Sequence, residues 1–166
     1  GADKMNVDAL NPLLKIFASG ITGSASGKIN LQGPFQKLVL KGALMAENTS
    51  MKIDYLQSKF RLNDSIRFNK NAIVFKSVKL TDERGNPALL NGSVSHQYFK
   101  EYGADLMISM TDCMVMNTRQ KDNELFYGTA FASGVTTIKT GPSVLSFDIS
   151  AKTGKNTRFF IPLNTS

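Results

Sequence analysis

From Ser24 onward, apolar side chains recur at every second position. Leu38, Leu40 and Leu44 alternate with Val39, Lys41 and Ala43; Met51, Ile53 and Tyr55 alternate with Lys52 and Asp54. Ile66 and Phe68 flank Arg67, and Ile73 and Phe75 are followed by Val78 and Leu80. The same rhythm returns at Leu106, Ile108 and Met110, and at Leu145, Phe147 and Ile149. Side chains on a strand point alternately to its two faces, so a period of two predicts strands with one apolar and one polar face. Only the start of the chain departs from this. Leu10, Leu13, Leu14 and Phe17 recur at helical spacing, Asp8 stands as a cap, Pro12 falls in the first turn, and Gly20 follows the run. These signals predict one short helix over 8–19, with strands filling 24–163.

Turn-forming residues interrupt the apolar runs at short intervals. They include Gly33-Pro34, Glu47-Asn48-Thr49, Leu62-Asn63-Asp64, Arg84-Gly85-Asn86-Pro87, Lys121-Asp122-Asn123 and Gly141-Pro142. About a dozen short strands without interleaved helices indicate an all-β fold. At roughly 4.8 Å per strand such a sheet would extend about 50 Å. An imperfect repeat links Ala25-Ser26-Gly27, Gly33-Pro34 and Leu38-Val39-Leu40 to Ala132-Ser133-Gly134, Gly141-Pro142 and Leu145-Ser146-Phe147. Repetition favours an elongated architecture over a closed one.

Composition adds limits. The chain has 166 residues, 42% hydrophobic and 20% charged, which suits one folded unit or one slice of a larger repetitive one. Net charge is +7, from 20 Lys plus Arg against 13 Asp plus Glu. Lys28, Lys37, Lys41, Lys52, Lys59 and Arg61 are dispersed through strand-like segments, so no nucleic-acid partner is expected. Cys113 is the only cysteine, and an intramolecular disulfide is impossible. No apolar run approaches the roughly 20 residues of a membrane helix. The start, Gly1-Ala2-Asp3-Lys4, lacks the apolar core of a signal peptide, so targeting information is expected outside this stretch.

Candidate chemistry is sparse. His96, the only histidine, would have to serve any Ser-His-Asp or Cys-His mechanism; its place in Ser95-His96-Gln97 predicts a solvated turn residue. Cys113 has no His or Cys neighbour, which argues against zinc or redox work and for a buried or half-buried small residue. Gly20 to Gly27 puts Ala25 where a nucleophile elbow needs Ser, and no Gly-Lys-Ser/Thr closes a phosphate loop. Asp54, Asp64, Asp82, Asp112, Asp122 and Asp148 stand singly. No catalytic residue, metal or cofactor is therefore expected. Leu106 to Met116 holds four of the seven methionines, whose flexible thioethers suit either core filling or a surface accepting variable apolar partners.

Several segments together resemble the C-terminal region of the TamB translocation and assembly module family, within the AsmA-like group. They are Leu10-Asn11-Pro12-Leu13-Leu14, Ser24 through Pro34, Leu40-Lys41-Gly42-Ala43-Leu44, Ile53-Asp54-Tyr55-Leu56, Leu80 through Asn86, Leu90 through His96, Asp122 through Ala130, Thr153-Gly154-Lys155 and Phe160-Ile161-Pro162-Leu163. Phe35-Gln36-Lys37-Leu38 departs from the pattern, where another Pro often follows the Gly turn. The resemblance spans nearly the whole of 1–166, read as a single fragment of a larger β-trough domain. It implies an elongated curved sheet folded into an open trough, or β-taco, with an apolar interior. It also implies a periplasmic place in a Gram-negative envelope, an inner-membrane anchor elsewhere in the protein, and an outer-membrane barrel assembly partner of the TamA or BamA type. The implied passenger is phospholipid or a nascent outer-membrane protein.

On that reading the lining of the groove comprises Leu38, Leu40, Leu44, Met51, Ile53, Tyr55, Ile73, Phe75, Leu106, Ile108, Met110, Met114, Met116, Leu145, Phe147 and Ile149, the apolar parity of their strands. A closed lipid-binding barrel and a structural or adhesive sandwich fit the alternation equally, since each has one apolar face.

Overall fold

A computed structural model describes residues 5–6, 18–98, 100–141 and 144–162. Among these, eleven strands form one antiparallel sheet. They are β1 (Met5–Asn6), β2 (Ala18–Gln32), β3 (Val39–Ile53), β4 (Ser58–Leu62), β5 (Ser65–Asn69), β6 (Ala72–Asp82), β7 (Pro87–Gln97), β8 (Lys100–Thr118), β9 (Tyr127–Gly141), β10 (Val144–Thr153) and β11 (Arg158–Phe160). A single 3-10 turn, Phe35–Lys37, joins β2 to β3. The all-β expectation therefore holds.

The sheet order is β1-β2-β3-β4-β6-β7-β8-β9-β10. β5 lies in line with β4, since both pair with β3 and β6. β11 pairs with β9, as β10 does. Eleven strands thus occupy nine positions, and a flat sheet would extend only about 38 Å, not 50 Å.

Two sequence readings are corrected here. The helix was placed over 8–19, but Ala18 and Ser19 already pair with Ile53 and Lys52 as strand. Gly20, read as a helix stop, has φ +60° at a bulge between Ser19 and Thr22. Positions 8–17 lie outside the described residues. The second correction concerns Leu62-Asn63-Asp64, which is no reversal but a break between collinear β4 and β5. Asp64 fills that break: its carboxylate accepts from Ser65 N at 2.7 Å and Lys79 N at 3.0 Å, and its carbonyl accepts from Ala46 N at 3.0 Å. Glu47-Asn48-Thr49 likewise stays inside β3.

The breaks in period mark bulges. Asn48, Ser77 and Asp112 have φ of 49°, 50° and 49°, a left-handed backbone rare away from glycine. Each inserts one extra residue against its partner strand, and the apolar parity shifts by one across it. That is why even-numbered Leu44 and Ala46 give way to odd-numbered Thr49 and Met51 on one face, and why Phe75 and Val78 share that face. Ser77 N donates to Asn91 Oδ1 at 2.8 Å, which satisfies the donor freed by its bulge.

The repeat seen in the sequence corresponds to two hairpins, β2–β3 and β9–β10. Gly27 and Gly134 both have φ +149°. A Cβ at Gly134 would lie 2.2 Å from Ser150 O, and one at Gly27 would lie 2.3 Å from Ala43 O. Glycine is what lets the paired backbones meet at these two equivalent steps.

The core divides into two clusters. One holds Ile21, Ala25, Leu44, Phe68, Ile73 and Val94; the other holds Ala46, Leu62, Val78, Leu80, Ala88, Leu90 and Cys113. Half-buried Met51, Ile66, Phe75 and Leu106 pack against both and join them.

Candidate functional site

The apolar face is built by register. Ile29, Gly42, Phe68, Ile73, Val94, Ala104 and Thr140 lie successively opposite one another across seven strands. A second row runs Leu90, Ile108, Thr136 and Ile149. Cross-strand partners share a face, so these rows form one apolar band that runs at right angles to the strands.

Most of the residues expected to line a groove fall on this band. Leu44 and Ile73 are buried, while Leu40, Met51, Ile53, Phe75, Leu106, Ile108 and Met110 are half-buried. Leu38 is half-buried just before β3. Leu145 and Phe147 pair with Thr140 and Ile138, which gives their backbones the right register; their side chains lie outside the described ones. Ile149 is on the band but is 65% exposed, on edge strand β10.

Two lining assignments are corrected. Tyr55 is not in a strand, because β3 ends at Ile53; it stands in the following turn, 64% exposed, with its ring edge-on to Phe126. Met114 is on the opposite face from Met110. The bulge at Asp112 gives Cys113 the inward parity and turns Met114 toward Phe131. A further bulge between Met114 and Met116 returns Met116 inward, where it is buried.

One flank of the band, at the ends of β6 and β7, is closed. The turn between β6 and β7 ends those two strands early, while β4 and β8 run past it. Beyond the turn they come together, and Asn117 N donates to Leu56 O at 2.9 Å. In a flat sheet β4 and β8 would be about 14 Å apart. Asp82 organises this closure. Its carboxylate accepts from Arg84 N at 2.9 Å, Asn86 N at 2.8 Å, Asn86 Nδ2 at 3.0 Å and Met114 N at 2.7 Å. Burial raises its pKa, but the hydrogen bonds from Met114, Asn86 and Arg84 outweigh that and hold it below its usual 3.8. Cys113 is fully buried beside it, its thiol directed at Pro87 O at 3.2 Å. Burial, followed by the charges of Asp82 and Asp112, pushes that thiol up from its ordinary pKa.

Sequence reasoning missed this closure because Asp82 looked like one more solitary acid. A signal was present: Asp82-Glu83-Arg84-Gly85-Asn86 places an acid before two backbone donors of a tight turn. His96 is a further correction. It is 5% exposed rather than solvated, with its ring tilted against Tyr102 at 6.1 Å, and burial lowers its pKa. Its even position in β7 carries the parity of Val94, which turns it inward. Among the described residues no cluster of three or more His, Cys, Asp or Glu is arranged to hold a metal ion.

No protein-family model, curated protein or solved structure matches this chain. What the structure defines is a class: a single-sheet, antiparallel β protein with a continuous apolar face, closed over the β6–β7 turn.

Proposed function

We propose that the chain is a non-enzymatic envelope-biogenesis module of the periplasm whose apolar band forms the floor of a trough. The trough guides phospholipid acyl chains or nascent outer-membrane strands between the two membranes, with an outer-membrane barrel assembly protein as partner. The observation that carries this reading is the row from Ile29 to Thr140. It is a largely apolar path, interrupted at Gly42 and ending on Thr140, that crosses seven strand positions, about 29 Å at 4.8 Å per step, which is longer than an acyl chain of ordinary length. The half-buried residues Phe75, Leu106, Ile108 and Met110 are the contact surface on this reading, and the closure at Asp82 walls one flank of it.

The test is native mass spectrometry of the protein extracted from envelopes. Bound phospholipid or peptide should accompany the unmodified chain and be lost in Ile108→Asp. A folded protein that carries no apolar passenger overturns the proposal.

A structural β domain is the second reading, and the tight burial of Val78, Leu44 and Ile73 favours it. These side chains already have protein neighbours and need no passenger to leave water. In that case Ile108→Asp lowers stability without any change in bound material.

A further inference from the structure

Above the β6–β7 turn, between β4 and β8, lies an open cleft of about 560 Å³. Lys59 and Arg61 of β4 and Arg84 of the turn border it, and Glu83 is the only acid among its lining residues. None of the three cations is in an ion pair among the described residues. Lys59 faces Lys52 across the β3–β4 pairing, an arrangement of like charges that is normally unfavourable. The Lys52 amino group turns away to Asp54 at 3.5 Å and Gln57 at 3.3 Å, so Lys59 has no acid there. Arg84 rests on the Phe131 ring with its guanidinium carbon 4.5 Å from the centroid, which holds the side chain over the cleft. Ser50, Asn117 and Thr129 add short polar side chains to the walls.

Three cations around one concavity repel one another, and an anionic phosphate group relieves that repulsion while accepting their N–H groups. Arginine presents a planar fork matched to phosphate oxygens, and lysine adds a point charge. We propose that this cleft binds a phosphate group, either as a free phosphate ester or as the headgroup of an anionic lipid. The site is separate from the apolar band, and its existence does not depend on what that band carries.

Inorganic phosphate is titrated into the intact chain and followed by amide NMR. Saturable shifts should be confined to the cleft, including the amides of Ser50, Arg84 and Asn117. Lys59→Gln, Arg61→Gln and Arg84→Gln should each weaken binding about 5-fold or more, and the triple variant should abolish saturation. Arg84→Lys should keep the charge but lose the fork and so weaken binding less than Arg84→Gln, and Glu83→Gln should tighten it about 2-fold to 5-fold by removing the single opposing charge. All these side chains are exposed, so melting temperatures should stay close to that of the parent and separate lost binding from lost fold. Vesicles of phosphatidylglycerol and of phosphatidylcholine distinguish the sources. Retention on the former alone, lost in the triple variant, assigns a lipid headgroup; phosphate binding without vesicle retention assigns a soluble phosphate ester. Shifts that fail to saturate, or an unaltered response of the triple variant, together with vesicle binding that the variant leaves unchanged, overturn the proposal.

Discussion

Asp82 and Met114 are 32 positions apart and lie on strands separated by β7, yet the Asp82 carboxylate accepts the Met114 backbone N–H at 2.7 Å. The contact fastens β8 over the β6–β7 turn. Replacing Asp82 by Ala leaves the donors of Arg84, Asn86 and Met114 without their acceptor in a dry setting. Asp82→Ala should therefore destabilise the fold by about 3 kcal/mol or more, read from the urea midpoint by circular dichroism. A loss under about 1 kcal/mol would show that the closure does not depend on this carboxylate.

Acid should loosen the same region. The folded-state pKa values of Asp82 and Asp64 lie below the ordinary 3.8. Hydrogen bonds from the Lys79 and Ser65 backbones account for the Asp64 shift, and those from Met114, Asn86 and Arg84 overcome burial at Asp82. A depressed carboxyl pKa contributes stability in full above the unfolded value, and that contribution fades as pH falls below about 4 toward the folded one. In unfolding free energy measured from pH 7 to pH 2, buried His96, whose pKa lies below 6.5, should bring a first decline below about pH 6.5, and the two carboxylates a further drop below about pH 4. The drop should be smaller in Asp82→Asn. An identical acid profile in that variant would contradict the assignment.

Cys113 is fully buried, and its thiol is held in the protonated form by burial and by neighbouring acids. The thiolate is the reactive species, so a maleimide should modify the native protein far more slowly than the urea-unfolded chain. The comparison is made by intact mass. Equal rates would mean that the β8 closure is open in solution.

Charge placed on the apolar face should separate packed from accessible positions. Ile73 is 3% exposed and Ile149 is 65% exposed, though both carry the parity of the apolar band. Ile73→Asp buries an unpaired carboxylate and should abolish folding or lower stability by several kcal/mol, about 3 or more. Ile149→Asp should stay within about 0.5 kcal/mol of the parent. Thermal unfolding checks both, and equal losses would place Ile149 inside a closed core.

Much of this face was legible in the sequence because the period of two is a direct imprint of the pleat. Leu40, Leu44, Ile73, Phe75, Leu106, Ile108 and Met110 were assigned by parity alone and lie on the band. The bulge at Ser77 leaves a trace in the step from Phe75 to Val78, but the alternation reads through it as one continuous pattern. The bulge at Asp112 was not, because Met110, Met114 and Met116 are all apolar and conceal a parity change; Met114 was misplaced as a result. Tyr55 was misplaced because alternation continues into the turn after Ile53 without a Gly or Pro to end it. The role of Asp82 depends on a partner 32 residues away, and no local pattern encodes such a contact. Ala18 and Ser19 fell to the expected helix rather than to strand because Gly20 fits a bulge as readily as a helix stop.

The most direct test of the apolar band is a photo-activated crosslinker placed at Ile108, on the band, and in a parallel variant at Lys79, exposed on the other face. Both are activated in intact envelopes with the full-length protein. The expected result is a crosslink to phospholipid or to nascent outer-membrane protein from Ile108 and none from Lys79. Capture from both positions alike, or from neither, would contradict a passage along this face.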